Sequence, residues 1–318
     1  MKKFALLLLI LFSTLFLVSC TNSKKADIVT TMFPQYDFAR QIVGDKMTVS
    51  LLIPAGAEIH DYEASSSDMV AIKESKLFLF TSLEIDTWIT DASTIGGDDT
   101  IVLNLSTAYT LMPHDEENHP LEDHDIEEDH DHDETLHYWV DPTNAVQLIE
   151  AILEKIIEID PENSVFYTEN ANAYIETIES LHHAIESFLM SDERIESTIF
   201  FAGHNAMGLF GERYHLNIVS LFPDFKPDAD LTSSELISFV QQVKNNGTIY
   251  LFIEELAEPK AANQVVRELA KELYILNLLE LHAYHNLSKT DMEDDVTYAD
   301  LLERNFLNLQ TALSVTTL

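Results

Sequence analysis

The chain reads as an α/β protein: two similar lobes, each built on a four-stranded parallel sheet, joined by one long rigid helix, with a cleft between them. Short apolar runs rich in β-branched residues alternate with helix-patterned segments on both sides of the chain's middle, which is the signature of βαβ units. Between the two series stands one long helical pattern with no Gly/Ser- or Pro-rich linker beside it, so no flexible hinge is indicated.

Lys2 and Lys3 precede an apolar stretch that ends at Leu17-Val18-Ser19-Cys20. A positive start and a short apolar run mark residues 1–19 as a secretion signal rather than a membrane span. A cysteine directly after such a run resembles the lipobox of bacterial lipoproteins, which implies cleavage before Cys20 and lipid attachment to its sulfur. Cys20 is the only cysteine, so no disulfide and no thiolate ligand is expected in the mature chain. Residues 20–26 form the tether.

The N-terminal lobe is expected over 27–160, with strands at 28–33, 47–53, 77–81 and 101–105. Pro142 opens a helix running to about residue 159. The connecting helix is expected over 161–192, where Tyr174, Ile178, Leu181, Ile185 and Leu189 keep helical spacing. The strand rhythm then restarts at 198–202, 217–222, 249–253 and 274–279, placing the C-terminal lobe at 193–318. The two halves share no detailed sequence repeat.

A formal net charge of -37 argues against nucleic acid, which would repel the chain, and makes cations the natural partner. Residues 114–134 carry His114, His119, His124, His130 and His132 among twelve carboxylates and no basic residue. Such a segment has too little apolar surface to offset the entropy of ordering it and is expected to be a mobile loop. Imidazole mixed with carboxylate suits weak, multiple binding of zinc-like cations, against the plainer reading of a solvated acidic loop.

Ligands of open parallel sheets bind beyond the carboxyl ends of the strands. His60 follows the second strand, His204 the fifth, Glu280 ends the eighth, and His137 stands where the acidic loop rejoins the fold. All four are therefore candidate ligands facing one cleft. His182 and His183 in the connecting helix read as surface or packing residues. Asp68 and Asp141 read as helix caps, near Met69 and before Pro142. Glu254 and Glu255 end the seventh strand and border the cleft.

Three segments taken in order, Gly56-Ala57-Glu58-Ile59-His60-Asp61-Tyr62-Glu63, His137-Tyr138-Trp139-Val140-Asp141-Pro142 and Gly203-His204-Asn205-Ala206, resemble one family across essentially the whole mature chain. This is the family of metal-specific solute-binding lipoproteins of bacterial ABC transporters, the zinc and manganese receptors. The resemblance implies His60, His137 and His204 as the first three ligands and an acidic fourth, for which Glu280 is the best match. Water, His282 or His285 compete for that fourth place. Three imidazoles and a carboxylate suit zinc, whereas manganese prefers more oxygen and its receptors carry glutamate where this chain has His204.

The resemblance further implies a monomeric receptor, not an enzyme, that hands zinc to an ABC permease and its ATPase. It would be lipid-anchored on the outer face of the bacterial membrane or periplasmic. A manganese receptor, a metal-dependent surface adhesin and a zinc hydrolase are the alternatives. A hydrolase needs an open coordination position and a general base, and four protein ligands close the site. Three titrating imidazoles should make zinc affinity fall steeply from pH 7 to pH 5, about where free imidazole takes up a proton.

Overall fold

The computed structural model describes residues 25–60, 62–110, 136–191, 198–222, 232–256 and 258–314. Cys20 and its signal, and the acidic loop 114–134, lie outside the described residues. Two four-stranded, all-parallel sheets are present, and in each the strands lie in the order second, first, third, fourth, so both lobes share one strand order.

The first sheet comprises β1 (Ile28–Thr30), β2 (Val49–Leu51), β3 (Leu77–Phe80) and β4 (Ile101–Asn104). β1 stops short of residue 33 because Gln35 Oε1 accepts from the amides of Thr31 and Met32, and Pro34 enters the first turn of α1 (Phe33–Val43). β3 is buried on both faces: Leu77 and Leu79 face the central core, Phe78 and Phe80 the outer one. α2 (Ser66–Glu74) is capped by Ser65, with Asp68 reaching back to the Ser65 amide at 2.8 Å, so Asp68 completes a capping box rather than being the cap itself. Asp141 does cap its helix, accepting from the Thr143 amide at the start of α3 (Pro142–Ile159).

The connecting helix is α4 (Ser164–Leu189), preceded by a single 3-10 turn at Pro161–Asn163. It buries Tyr167, Ala171, Tyr174, Ile178, Ile185 and Leu189 along one stripe. The second lobe follows with β5 (Thr198–His204), α5 (Gly208–Arg213), β6 (Asn217–Phe222), α6 (Ser233–Asn246), β7 (Tyr250–Ile253), α7 (Lys260–Ala270) and β8 (Asn277–Glu280), then α8 (Lys289–Glu293) and α9 (Tyr298–Leu313). β8 begins later than residue 274 because Leu273 takes a left-handed backbone and the Tyr274 hydroxyl donates back to Thr248 O.

One apolar core runs through both lobes: Phe38 and Leu79 on the N-terminal side, Trp139, Ile152 and Ile178 between, and Phe201, Phe252 and Leu302 beyond belong to one buried cluster. The outer face of each sheet has its own smaller core. The last helix returns to the connecting helix and the first: Phe306 packs on Phe188 at 5.8 Å between ring centres, and Tyr298 on Phe38 at 5.2 Å.

Asp37 on α1 sits where these three helices meet. Fully buried, it accepts from the Tyr174 hydroxyl, the Tyr298 amide at 2.8 Å and Arg40 Nε at 2.9 Å. Arg40 in turn donates to Val296 O at 2.7 Å. Burial pushes the Asp37 carboxyl above its ordinary range, against the pull of Arg40 and the hydrogen bonds it accepts. Asp37→Ala should therefore cost about 3 kcal/mol in urea unfolding, because it takes the acceptor from the Tyr174 hydroxyl, the Tyr298 amide and the Arg40 Nε–H. A loss under about 0.5 kcal/mol, the ordinary scatter of surface substitutions, would show that these donors find other partners.

Candidate metal centre

β5 lies between β6 and β7, the place where strand order reverses in the second sheet, and parallel α/β sheets open a crevice beyond the strand ends at such a point. His204 is the last residue of β5, one residue earlier than a loop position. His60 closes the turn that follows β2, and His137 leads into a single 3-10 turn, Tyr138–Val140, just ahead of α3. A fourth imidazole joins them from beyond β8: His60, His137, His204 and His285 offer ligand atoms that all lie within 4.8 Å of one another.

The spacing is that of a tetrahedron. With zinc–nitrogen bonds of about 2.0 Å, imidazole ring centres stand about 3.2 Å from the ion and about 5.2 Å from each other. The ring centres of His137, His204 and His285 are 5.0, 5.0 and 5.2 Å apart, and those of His60 lie 5.2, 5.6 and 6.2 Å from the other three. His137 Nε2 and His204 Nε2 are 3.2 Å apart, against about 3.3 Å for two nitrogens on one tetrahedral zinc. His137, His204 and His285 are buried, and the His60 side chain is 9% exposed.

Two carboxylates stand behind two of the rings. Glu254 Oε1 lies 2.6 Å from His204 Nδ1, and Glu255 Oε1 lies 2.9 Å from His285 Nδ1. With its Nδ1 on Glu255, His285 turns Nε2 inward, and this buried nitrogen has no hydrogen-bond partner among the described residues. A buried, unsatisfied nitrogen aimed at three others is the donor set of a cation site.

Burial first, then the neighbouring imidazoles, pushes His60 down to about 3 and His137 well below its ordinary value. His285 moves the other way: burial opposes its charged form, but the Glu255 carboxylate, with Glu254 and Glu58 beyond it, raises it on balance. Glu255 is likewise held below its ordinary range by His282 and His285, in spite of the opposing effect of burial.

Glu280, expected as the fourth ligand, lies outside this group. It is the last paired residue of β8, opposite Ile253, and it is exposed. Its carbonyl accepts from Asn308, and burial of part of its side chain raises its carboxyl. The chain continues past it into a tight turn, where Tyr284 takes a left-handed backbone and His285 swings inward. His282 is buried too, but its Nδ1 accepts the Tyr284 amide at 2.8 Å and it does not reach the group.

His182 and His183 form a lesser group with Glu186 on α4. His182 Nδ1 lies 2.8 Å from the Tyr214 hydroxyl and His183 is mostly exposed, in keeping with packing and surface roles. Glu254 and Glu255 do border the cleft, and their contact with ligand rings was not legible in their spacing.

The comparisons follow this geometry. The chain is 32% identical over 315 residues to the zinc-binding lipoprotein AdcA of Streptococcus pneumoniae (strain ATCC BAA-255 / R6), covering 98% of this chain and 61% of that protein. It is 30% identical over 325 residues to the high-affinity zinc uptake system protein ZnuA of Bacillus subtilis (strain 168), covering 99% of each. The Zn(II)-bound ZnuA-like domain of Streptococcus pneumoniae AdcA superposes with a TM-score of 0.72 at 26% identity, over 91% of this chain and 98% of that domain. The chain thus spans about three-fifths of the AdcA relatives it matches and the full length of the Bacillus one. The family model described as ZnuA, zinc-uptake complex component A periplasmic, matches residues 28–312, from the first strand almost to the end of the last helix, and the chain belongs to that family.

Proposed function

We propose that the chain is an extracytoplasmic, high-affinity zinc receptor that passes its cargo to an ABC importer, with His60, His137, His204 and His285 as the four ligands. The convergence of four imidazole rings at tetrahedral spacing carries this reading. An all-nitrogen, four-coordinate set suits zinc and offers manganese none of the oxygen it prefers. The names of the AdcA and ZnuA relatives support zinc as the cargo. Four protein ligands leave no open position for a substrate, so the reading is a carrier and not an enzyme. Within it, Cys20 carries the lipid that holds a monomer at the outer face of the membrane, where a permease and its ATPase receive the ion. Lobes at 27–160 and 193–318 and a connector at 161–192 are part of the same proposal.

Changing His137, His204 or His285 to Ala should each weaken zinc binding roughly 100-fold, since about 10–16 kcal/mol shared by four ligands is about 3 kcal/mol apiece. Glu280→Ala should change it less than about twofold, as expected of a residue with no contact to the ion. Competition with a chelator of known affinity measures both, and parent affinity in His285→Ala together with a large loss in Glu280→Ala would reverse the fourth assignment.

The pH dependence should be shallower than three ordinary imidazoles would give. His60 and His137 are held proton-free far below neutral pH, so neither competes with zinc at pH 5. His285, raised by the carboxylates beside it, holds its proton more firmly than a free imidazole and must release it to coordinate. Zinc affinity should still fall as pH drops, but by much less than the roughly thousandfold per unit that three competing protons would give. A fall of about a thousandfold per unit, three protons, would show that the rings titrate as if exposed.

The tetrahedron is complete without the acidic loop. Deleting residues 114–134 should leave the tight zinc event in place and abolish additional weak binding in a calorimetric titration. Loss of the tight event would mean that the loop supplies a primary ligand.

A further inference from the structure

Four neutral imidazoles bring no negative charge to a dication. In a cleft whose ligands are almost wholly buried, such a charge must be balanced nearby, because little solvent is at hand to do it. Adjacent residues supply the balance. Glu254 and Glu255 follow β7, next to β5 in the sheet, and each is set against a different ligand ring, Glu254 on His204 and Glu255 on His285. Their side chains are 10% and 3% exposed.

The surroundings are shaped to receive them. Glu255 Oε2 accepts the Ala283 amide at 2.9 Å and Oε1 the His285 amide at 3.2 Å, which holds the turn that presents His285. A Cβ on Gly203 would stand 3.1 Å from Glu254 Oε2 and 2.7 Å from the Phe201 ring, so the bare backbone there makes room for the Glu254 carboxylate. By contrast, Glu58 is half exposed and 3.9 Å from His60 Nε2, too far to act in the same way.

We propose that Glu254 and Glu255 are the built-in counter-charge of the centre: positioning residues that act on zinc through His204 and His285. This rests on the four-imidazole reading above. Each carboxylate keeps the proton of its ring at Nδ1, turns Nε2 toward the ion and makes that nitrogen a stronger donor. The two charges match the two of the cation while the coordinating atoms remain all nitrogen. A site built this way gains the charge of a carboxylate ligand without the oxygen that manganese would use.

The test uses the mature chain with Glu254→Gln and Glu255→Gln, singly and combined with His204→Ala and His285→Ala respectively. Zinc affinity is read by chelator competition, and coordination by the visible absorption of bound cobalt(II). Each Gln variant should weaken zinc about 10–100-fold, the usual effect of removing the partner of a ligating histidine, while the cobalt spectrum stays tetrahedral. In the paired His→Ala background the same change should cost little, since the carboxylate then has no ring to act through.

Affinities within about twofold of the parent, or losses that add fully to those of the His variants, would overturn the inference. So would a changed cobalt coordination in Glu254→Gln, which would make Glu254 a ligand. Parent affinity in both His variants would overturn the four-imidazole centre itself and this inference with it. If Glu255→Gln does not fold, the Glu254→Gln arm decides, because it leaves the Glu255 contacts to Ala283 and His285 untouched.

Discussion

The course of the chain from Leu281 to Leu287 governs whether four imidazoles meet. Asn305 on α9 grips this segment from outside, accepting the His282 amide at 2.7 Å and donating to His282 O at 2.8 Å. Glu255 grips it from inside through Ala283 and His285. The segment then reaches the N-terminal lobe twice. Trp139 Nε1 donates to Ala283 O at 2.9 Å, two residues after His137, and Asn286 Nδ2 donates to Pro54 O and Ala57 O at 2.8 and 2.9 Å, at the base of the His60 turn. Gly56 closes the contact by donating to Leu287 O at 2.7 Å. The loop that brings the fourth ring is thus hydrogen-bonded to the segments that bring the first two.

The imidazole cluster and the lobe contact are therefore largely one structure. A continuous core beneath it, the Asp37 junction and the ion pair of Arg213 with Asp141 at 2.7 Å leave the two lobes little freedom to move apart without breaking buried contacts. Rings already held at this spacing would not have to be ordered for an ion to bind. Burial of the same rings keeps His60 and His137 proton-free, so neither has to give up a proton to the ion.

The strand rhythm of the sequence carried over, most plainly at β3, which is buried on both faces and shows as an unbroken apolar run. The strand ends did not, because ends depend on local bonds that leave no periodic trace: Gln35 capturing two amides after β1, or the left-handed backbone of Leu273 before β8. Asp68 was visible as a capping residue, but the N-cap Ser65 ahead of the helix decided its place in the box.

By itself, the sequence determined the two-lobed parallel architecture, the long connector and three of the four rings, because hydrophobic period and the residue types beside strand ends are local properties. Tertiary structure alone decided which side chain joins the other three rings. Glu280 and His285 are five positions apart on one segment, and nothing in their spacing says which faces the cleft. That choice was made by contacts distant in sequence: Glu255 pulling on His285, Asn305 holding His282, and Ile253 pairing Glu280 into the last rung of a strand that leaves it exposed.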